Sequence, residues 1–267
     1  YNKFLLKVID NQASLIAKWQ SIGFIHGVMN TDNVLISGET IDYGPCAFMD
    51  EYNPKTVFSS IDKQGRYAYM NQPYIGSWNL ARLAETLIPL LSENKEEAVE
   101  IANKALTIYG EKYTEYWLNN MALKIGIEKI KSEDEKLIKE LLTIMEFKSL
   151  DFTNTFRLLT LRKYASLNVI ESSELIEWIK KWESRLTEQN VDIEEAVTIM
   201  KKHNPNIIPR NSLVEEALAN ASLNNDYDLF NEMLELLKNP FNYEIEYKNK
   251  FTSFKKNSAD YVTYCGT

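Results

Sequence analysis

Three residues near the start of the chain carry side chains suited to holding a cation and handling a proton: Asp32, Asn33 and Asp42. They lie in His26-Gly27-Val28-Met29-Asn30-Thr31-Asp32-Asn33, then Val34-Leu35-Ile36, Ser37-Gly38, Thr40-Ile41 and Asp42-Tyr43-Gly44-Pro45. The two short apolar runs around Ser37-Gly38 predict a β-hairpin, and Pro45 closes it with a sharp stop. A tight turn sets strand ends side by side, so Asn33 and Asp42 are expected near each other. An amide oxygen and a carboxylate are hard ligands suited to Mg²⁺ or Mn²⁺. Two protein ligands leave room for water and triphosphate oxygens. Asp32 is then free to orient or deprotonate an incoming hydroxyl. His26, in a Gly-bounded loop, reads as a hydrogen-bonding brace and not as a catalyst.

The elements that must position these groups are mostly helical. Leu5, Val8, Ile9, Leu15, Ile16 and Trp19 follow helical spacing and predict an amphipathic helix over residues 4–21. Residues 51–75 contain Asn53-Pro54, Gly65 and Gln72-Pro73 and read as a long irregular loop, a length that tends to be functional. From Ser77 onward the pattern predicts helices over 77–92, 94–109, 111–124, 132–146, 152–164, 173–186, 192–203, 211–222 and 226–238, with caps at Ser92, Ser132, Thr153 and Asn211. The fold class is α+β, predominantly helical. Residues 1–92 carry the hairpin and loop and residues 93–267 the helical remainder, as one continuous domain. Leu80, Leu83, Leu87 and Leu90 read as core, and Trp178 and Trp182 as one packed helix face. The Lys/Glu-rich stretches 94–104 and 131–140 read as solvated faces. Asn204-Pro205 to Pro209-Arg210-Asn211 reads as a rigid turn before a helix, and His203 as structural. Arg66 can contact phosphate or an acceptor protein, but the favoured reading is a loop brace against a carboxylate.

Composition narrows the function classes. The chain has 267 residues, 45% hydrophobic and 25% charged, with a mean hydropathy of -0.34, the balance of a soluble globular protein. No apolar run approaches a membrane span and no signal peptide opens the chain, so a cytoplasmic location is expected. With 38 acids against 30 bases the net charge is -8, which repels nucleic acid and anionic membrane. Two cysteines without a CxxC and two histidines make zinc an improbable ligand. The nine glycines include no GxGxxG and no GxxxxGK(S/T), so nucleotide chemistry must manage without a phosphate cradle in this chain. The first residue is Tyr1 and not Met, so the chain is expected to be a piece of something longer.

The string has the layout of a protein-kinase catalytic loop followed by its metal-binding Asp-Phe-Gly. Asn33 falls seven after His26, as the kinase metal Asn does, and Asp42-Tyr43-Gly44 matches Asp-Phe-Gly. The residue two after His26 is Val28, so the usual kinase base is absent and an acid stands at Asp32 instead. Asp-Tyr-Gly by itself carries almost no information; the weight lies in the whole string.

That string resembles the selenoprotein O (YdiU) family of kinase-fold protein adenylyltransferases, from Gly23-Phe24-Ile25-His26 to Asn33 and over Thr40–Pro45. The resemblance continues through Gln64-Gly65-Arg66-Tyr67-Ala68-Tyr69, Asn71-Gln72-Pro73, Trp78–Glu85, Asp151–Arg157, Asn204-Pro205, Ile208–Asn211 and Tyr264-Cys265-Gly266-Thr267. It implies the C-terminal lobe of a protein-kinase-like fold. It also implies Asp32 as catalytic base, Asn33 and Asp42 as metal ligands, and Asp42 against the nucleotide phosphates. The implied reaction moves AMP from ATP, lying reversed relative to kinases, to a Ser, Thr or Tyr hydroxyl of a protein, releasing pyrophosphate. The cofactors implied are Mg²⁺ or Mn²⁺, with ATP as co-substrate. The partners implied are a protein substrate and the family's N-terminal lobe, in cis or as a separate chain. These residues are expected not to include that lobe, so the chain alone is expected to bind ATP weakly and to be inactive. UMP transfer, phosphoryl transfer and a non-catalytic binding module remain as alternatives. Some family members carry a redox-active cysteine near the position of Phe58, which cannot serve. A Cys46–Cys265 pairing is the remaining redox hypothesis, with Cys265 as a free surface thiol on a mobile tail the plainer reading. Lys- and Asn-rich usage hints at an AT-rich bacterial genome.

Overall fold

The structure is a computed structural model and describes residues 1–163, 166–167, 172–253 and 261–263. Its contacts separate two units, one built from Tyr1–Ala47, Pro54–Asn120 and the tail from Val262, the other from Phe48–Asn53 and Met121–Tyr261. Among the described residues, no helix is long and apolar enough to cross a membrane.

The first unit rests on α1 (Asn2–Ile22), which buries Leu5, Val8, Ile9 and Ile16 and packs against α2 (Gln72–Leu91). α1 ends at Gly23, whose left-handed φ of 71° lets its N–H reach the Trp19 carbonyl and turns the chain into β1 (Phe24–Ile25). β1 pairs with β2 (Ala47–Phe48) in a two-stranded sheet, which the sequence reading missed because each strand has only two residues. The expected hairpin shrinks to a single antiparallel bridge, Val34 to Thr40, closed by a turn in which Gly38 N–H donates to the Leu35 carbonyl at 3.0 Å. Its ladder is short because α1 takes its outer groups: Gln12 donates to the Leu35 carbonyl at 2.6 Å, Asn11 to Ser37 and Trp19 to Thr40 Oγ1.

The expected loop over 51–75 ends early, in a 3-10 turn at Tyr69–Asn71 that runs into α2 at Gln72. Pro73 sits in the first turn of α2, where the missing N–H has no helical partner to lose. Leu80 and Leu87 are buried as expected, while Leu90 is exposed. The two helices expected over 94–109 and 111–124 are one, α3 (Lys95–Lys124), with Gly110 inside it. A glycine there costs only about 1 kcal/mol, too little to break a long helix. Asn94, and not Ser92, caps α3: its Oδ1 accepts from the Glu96 and Glu97 N–H groups at 2.9 and 3.1 Å. Thr263 returns to the first unit. It forms a parallel bridge with Ser59, donates its N–H to the Phe58 carbonyl at 2.7 Å and its hydroxyl to the Pro45 carbonyl at 2.8 Å.

The second unit contains α4 (Asp134–Phe147), α5 (Phe152–Thr160), α6 (Ser173–Glu188), α7 (Ile193–His203), α8 (Asn211–Asn224), α9 (Asp228–Leu237) and α10 (Asn249–Thr252). α4 packs on α6, α5 on α7 and α8 on α9. Trp178 and Trp182 stack at 5.8 Å as one buried helix face and donate their indole N–H groups to the Leu137 and Ile125 carbonyls. α5 is capped by Asp151, two residues before the expected Thr153, through a bond from Asn154 N–H at 2.6 Å. The turn from Asn204 to Arg210 is buried at both ends. Arg210 reaches Asp151 at 2.6 Å and Asp50 at 2.8 Å, and Arg185 reaches Asp134 at 2.7 Å. The buried Lys124 ammonium lies over the Phe156 ring at 4.1 Å and the Phe152 ring at 5.5 Å.

Candidate active site

The loop after β1 is held from both sides of His26. Gln72, fully buried at the start of α2, accepts from the His26 N–H at 3.0 Å through Oε1 and donates to the Phe24 carbonyl at 3.0 Å through Nε2. One amide side chain thus stands in for a neighbouring strand. Gly27 follows with φ 85°, and a Cβ there would stand 2.6 Å from the Pro45 carbonyl oxygen. Only glycine fits that close approach. Asn79 of α2 donates to the Met29 carbonyl at 2.9 Å, and the Tyr67 hydroxyl donates to Asn30 Oδ1 at 2.6 Å.

His26 is the brace the sequence suggested. Its Nε2 lies 2.9 Å from the Ile41 carbonyl, which can only accept, so Nε2 carries the proton. Nδ1 is then the lone pair that receives the Val28 N–H at 3.4 Å. Burial pushes the imidazole below its ordinary range, against the opposing pull of the Ile41 carbonyl, and keeps it neutral. One ring therefore ties the loop bearing Asp32 and Asn33 to the residue before Asp42.

Asp32 stands exposed on a 3-10 turn, Thr31–Asn33, closed by Asn33 N–H to the Asn30 carbonyl at 3.0 Å. Asn33 donates its amide to the Val28 carbonyl at 3.1 Å, which turns its Oδ1 away from that bond. Asp42 is exposed and takes a left-handed backbone, φ 58°, an uncommon conformation for a residue with a Cβ. Its Oδ1 receives the Gly44 N–H at 3.4 Å. The Val34–Thr40 bridge and the His26–Ile41 bond bring the Asn33 and Asp42 segments together. One amide oxygen and one carboxylate are the donors Mg²⁺ or Mn²⁺ takes, and they can hold such an ion with the remaining positions left to water and phosphate oxygens. Among the described residues, no group of three or more His, Cys, Asp or Glu stands close enough together to hold a metal ion.

Comparison with known proteins decides the family. A family model described as protein adenylyltransferase SelO matches residues 1–238. The chain belongs to the SelO family. It is 56% identical over its whole length to a protein nucleotidyltransferase YdiU of Clostridium botulinum (strain Eklund 17B / Type B), of which it covers 54%. It is 52% identical over 99% of its length to the YdiU protein of Geobacillus kaustophilus, of which it covers 55%. A Bacillus cereus (strain G9842) YdiU protein is 51% identical and covered to 55%. The chain thus spans about half the length of these curated relatives.

Several residues of this SelO-family site escaped the sequence reading. Gln72 clasps the chain by two hydrogen bonds, and Asn79 and Tyr67 hold the loop by one each. No local pattern marks them, because each partner lies 37 to 50 residues away in the chain. Arg66 departs from its favoured reading. The loop is braced by Asp62, whose two carboxylate oxygens accept from the backbone N–H groups of Arg66 and Tyr67 at 2.8 Å each. The Arg66 guanidinium instead lies over the Trp78 ring. Cys46 is half-buried and donates its thiol to the Tyr43 carbonyl at 3.3 Å. Burial raises that thiol above its ordinary range, so it is held protonated. Cys265, and with it the Cys46–Cys265 pairing, lies outside the described residues.

Proposed function

We propose that this chain is the catalytic portion of a metal-dependent protein adenylyltransferase that transfers AMP from ATP to Ser, Thr or Tyr hydroxyls. We read α1 to α2 as part of the C-terminal lobe of a kinase-like fold, and the protein as cytoplasmic. The observation that carries the reading is the His26 bridge, which fixes the Asp32–Asn33 loop against the segment of Asp42 inside a SelO-family chain. When bound, Mg²⁺ or Mn²⁺ neutralises triphosphate charge; Asn33 and Asp42 would hold it. Asp32 orients the acceptor hydroxyl and takes its proton as the oxygen attacks the α-phosphorus. The bond between the α-phosphorus and its bridging oxygen to the β-phosphate breaks, and pyrophosphate leaves. The remainder of the protein, present in the longer relatives, supplies the other phosphate contacts. The 267-residue chain alone is therefore expected to bind ATP weakly and transfer nothing detectable.

The test uses the full-length protein. Labelling of protein by α-³²P ATP, with none from γ-³²P ATP and little from α-³²P UTP, is the expected pattern. Asp42→Ala should abolish it, because Asn33 alone cannot hold the ion. Label from the γ-phosphate makes the protein a kinase, and preference for UTP makes it a uridylyltransferase. Labelling unchanged in Asp42→Ala removes the site assignment, and no labelling from any of the three leaves a binding module.

A further inference from the structure

Two guanidinium groups and one indole form an exposed ladder beside the loop that carries Asp32. The Arg66 Cζ lies 4.9 Å and the Arg82 Cζ 5.2 Å from the centre of the Trp78 ring, and Arg66 also lies 5.6 Å from the Tyr67 ring. Trp78, in the second turn of α2, is 37% exposed, much for an indole on a packed helix. Arg82 has one solvent-screened partner, Glu85, at 2.6 Å, and Arg66 forms no ion pair among the described residues. Three of the six arginines are spent elsewhere: Arg157 on Asn206, Arg185 on Asp134, and Arg210 on Asp50 and Asp151. Stacking fixes the plane of a guanidinium while leaving its N–H edge open to a carboxylate.

The ladder borders a groove of about 490 Å³ in which Trp78 and Arg82 face Thr31, Val34 and Ile36. Thr31 is the residue before Asp32. Asn79, 4% exposed, also lines the groove. Its amide nitrogen is committed to Met29, and its Oδ1 has no hydrogen-bond partner among the described residues. A buried acceptor left open in this way costs free energy unless a donor arrives. The groove therefore offers an apolar wall and a cationic rim next to the candidate base, with a buried open acceptor behind its lining.

We propose that Arg66, Trp78 and Arg82 form the docking site for the acceptor protein, selecting a segment with acidic and aliphatic residues around the hydroxyl to be modified. This rests on the reading of Asp32 as the residue that meets that hydroxyl. Charge complementarity favours an acidic occupant: two guanidinium groups stacked on one indole stand exposed on the same rim, with their N–H edges open to carboxylates.

The test is fluorescence anisotropy with fluorescein-labelled Glu-Leu-Glu-Ser-Leu-Glu and its Gln-for-Glu counterpart, on the 267-residue chain and on the full-length protein. The acidic peptide should bind about tenfold more tightly than the neutral one, weakening with salt. Arg66→Gln with Arg82→Gln should erase that preference while circular dichroism stays unchanged. In full-length protein the same pair should raise the acceptor KM about tenfold and leave kcat within about twofold. Equal binding of the two peptides, no binding, or an unaltered preference in the double variant overturns the proposal. Binding to the short chain but not to the full-length protein also overturns it, since the groove is then covered by the rest of the polypeptide. Peptide binding needs neither ATP nor metal, so its failure leaves the transfer reading standing, and the Asp42→Ala result leaves this one standing.

Discussion

The two units use the same polar residue types in opposite ways. In the second unit, Arg210, Asp50 and Asp151 are each at least nine-tenths buried and close on one another at 2.6–3.0 Å. Arg185 and Asp134 do the same. In the first unit Asp32 and Asp42 are exposed and make no ion pair among the described residues, while the buried residues around them are neutral: His26, Gln72 and Asn79. The difference is one of desolvation. A buried charge must be paired where it stands, so it is committed to structure. A charge that is to meet a cation or an attacking hydroxyl must stay open, so its loop has to be positioned by neutral amides and an imidazole that can be buried cheaply.

Exchanging the two kinds of acid is the strongest way to break this contrast. Asp32→Asn in the full-length protein should lower AMP transfer by about 10²–10⁴-fold, the usual contribution of a positioned base, with the urea midpoint unmoved. A loss of stability instead would make Asp32 a structural acid. Arg210→Ala should do the reverse in the isolated chain. It leaves two carboxylates buried and uncompensated, a cost of about 3–5 kcal/mol in urea unfolding. Arg210→Met with Asp50→Leu and Asp151→Leu should recover most of that loss, and failure to recover it would give the triad a role beyond pairing.

How much of this was legible in the sequence follows from the same physics. The nearness of the Asn33 and Asp42 segments was legible because a tight turn sets its two arms side by side, and the bracing role of His26 because a buried histidine must satisfy two ring nitrogens. α1, Trp178 and Trp182 were legible from helical periodicity. The hairpin was over-read, since Val34-Leu35-Ile36 has strand propensity but α1 captures the groups a second strand would need. The break at Gly110 was over-read because a local penalty of about 1 kcal/mol yields to the packing of a 30-residue helix. The clasp of Gln72 on His26 spans 46 residues, and the Trp78–Arg66 stack joins a loop to a helix. Neither has a local pattern. Arg66 was assigned a carboxylate by habit of type, and its neighbour Asp62 did brace the loop, but through backbone N–H groups.

Lys124 sharpens the comparison from within the second unit, because it is the buried charge that lacks a counter-ion. Among the described residues it forms no ion pair, and its ammonium has only the faces of Phe152 and Phe156. Burial pushes its pKa down from 10.5 to about 7. Between those two values the unfolded chain holds the proton and the folded chain has released it. The unfolded state binds more protons there, so stability rises with pH through the window and the cost is fully present below it. For one group this amounts to about 2 kcal/mol between pH 7 and 9. His203, the other titratable group coupled to Lys124, is held below 6.5 by burial and by that lysine, so it stays neutral across the interval. Urea unfolding of the wild-type chain should therefore show increasing stability from pH 7 to 9. Lys124→Met should flatten that rise and leave, among the described residues, only the paired buried charges, Arg210 with Asp50 and Asp151 and Arg185 with Asp134. A rise that persists in Lys124→Met would assign it to another group, and a wild-type chain with no rise would mean that the aromatic faces hold the ammonium charged.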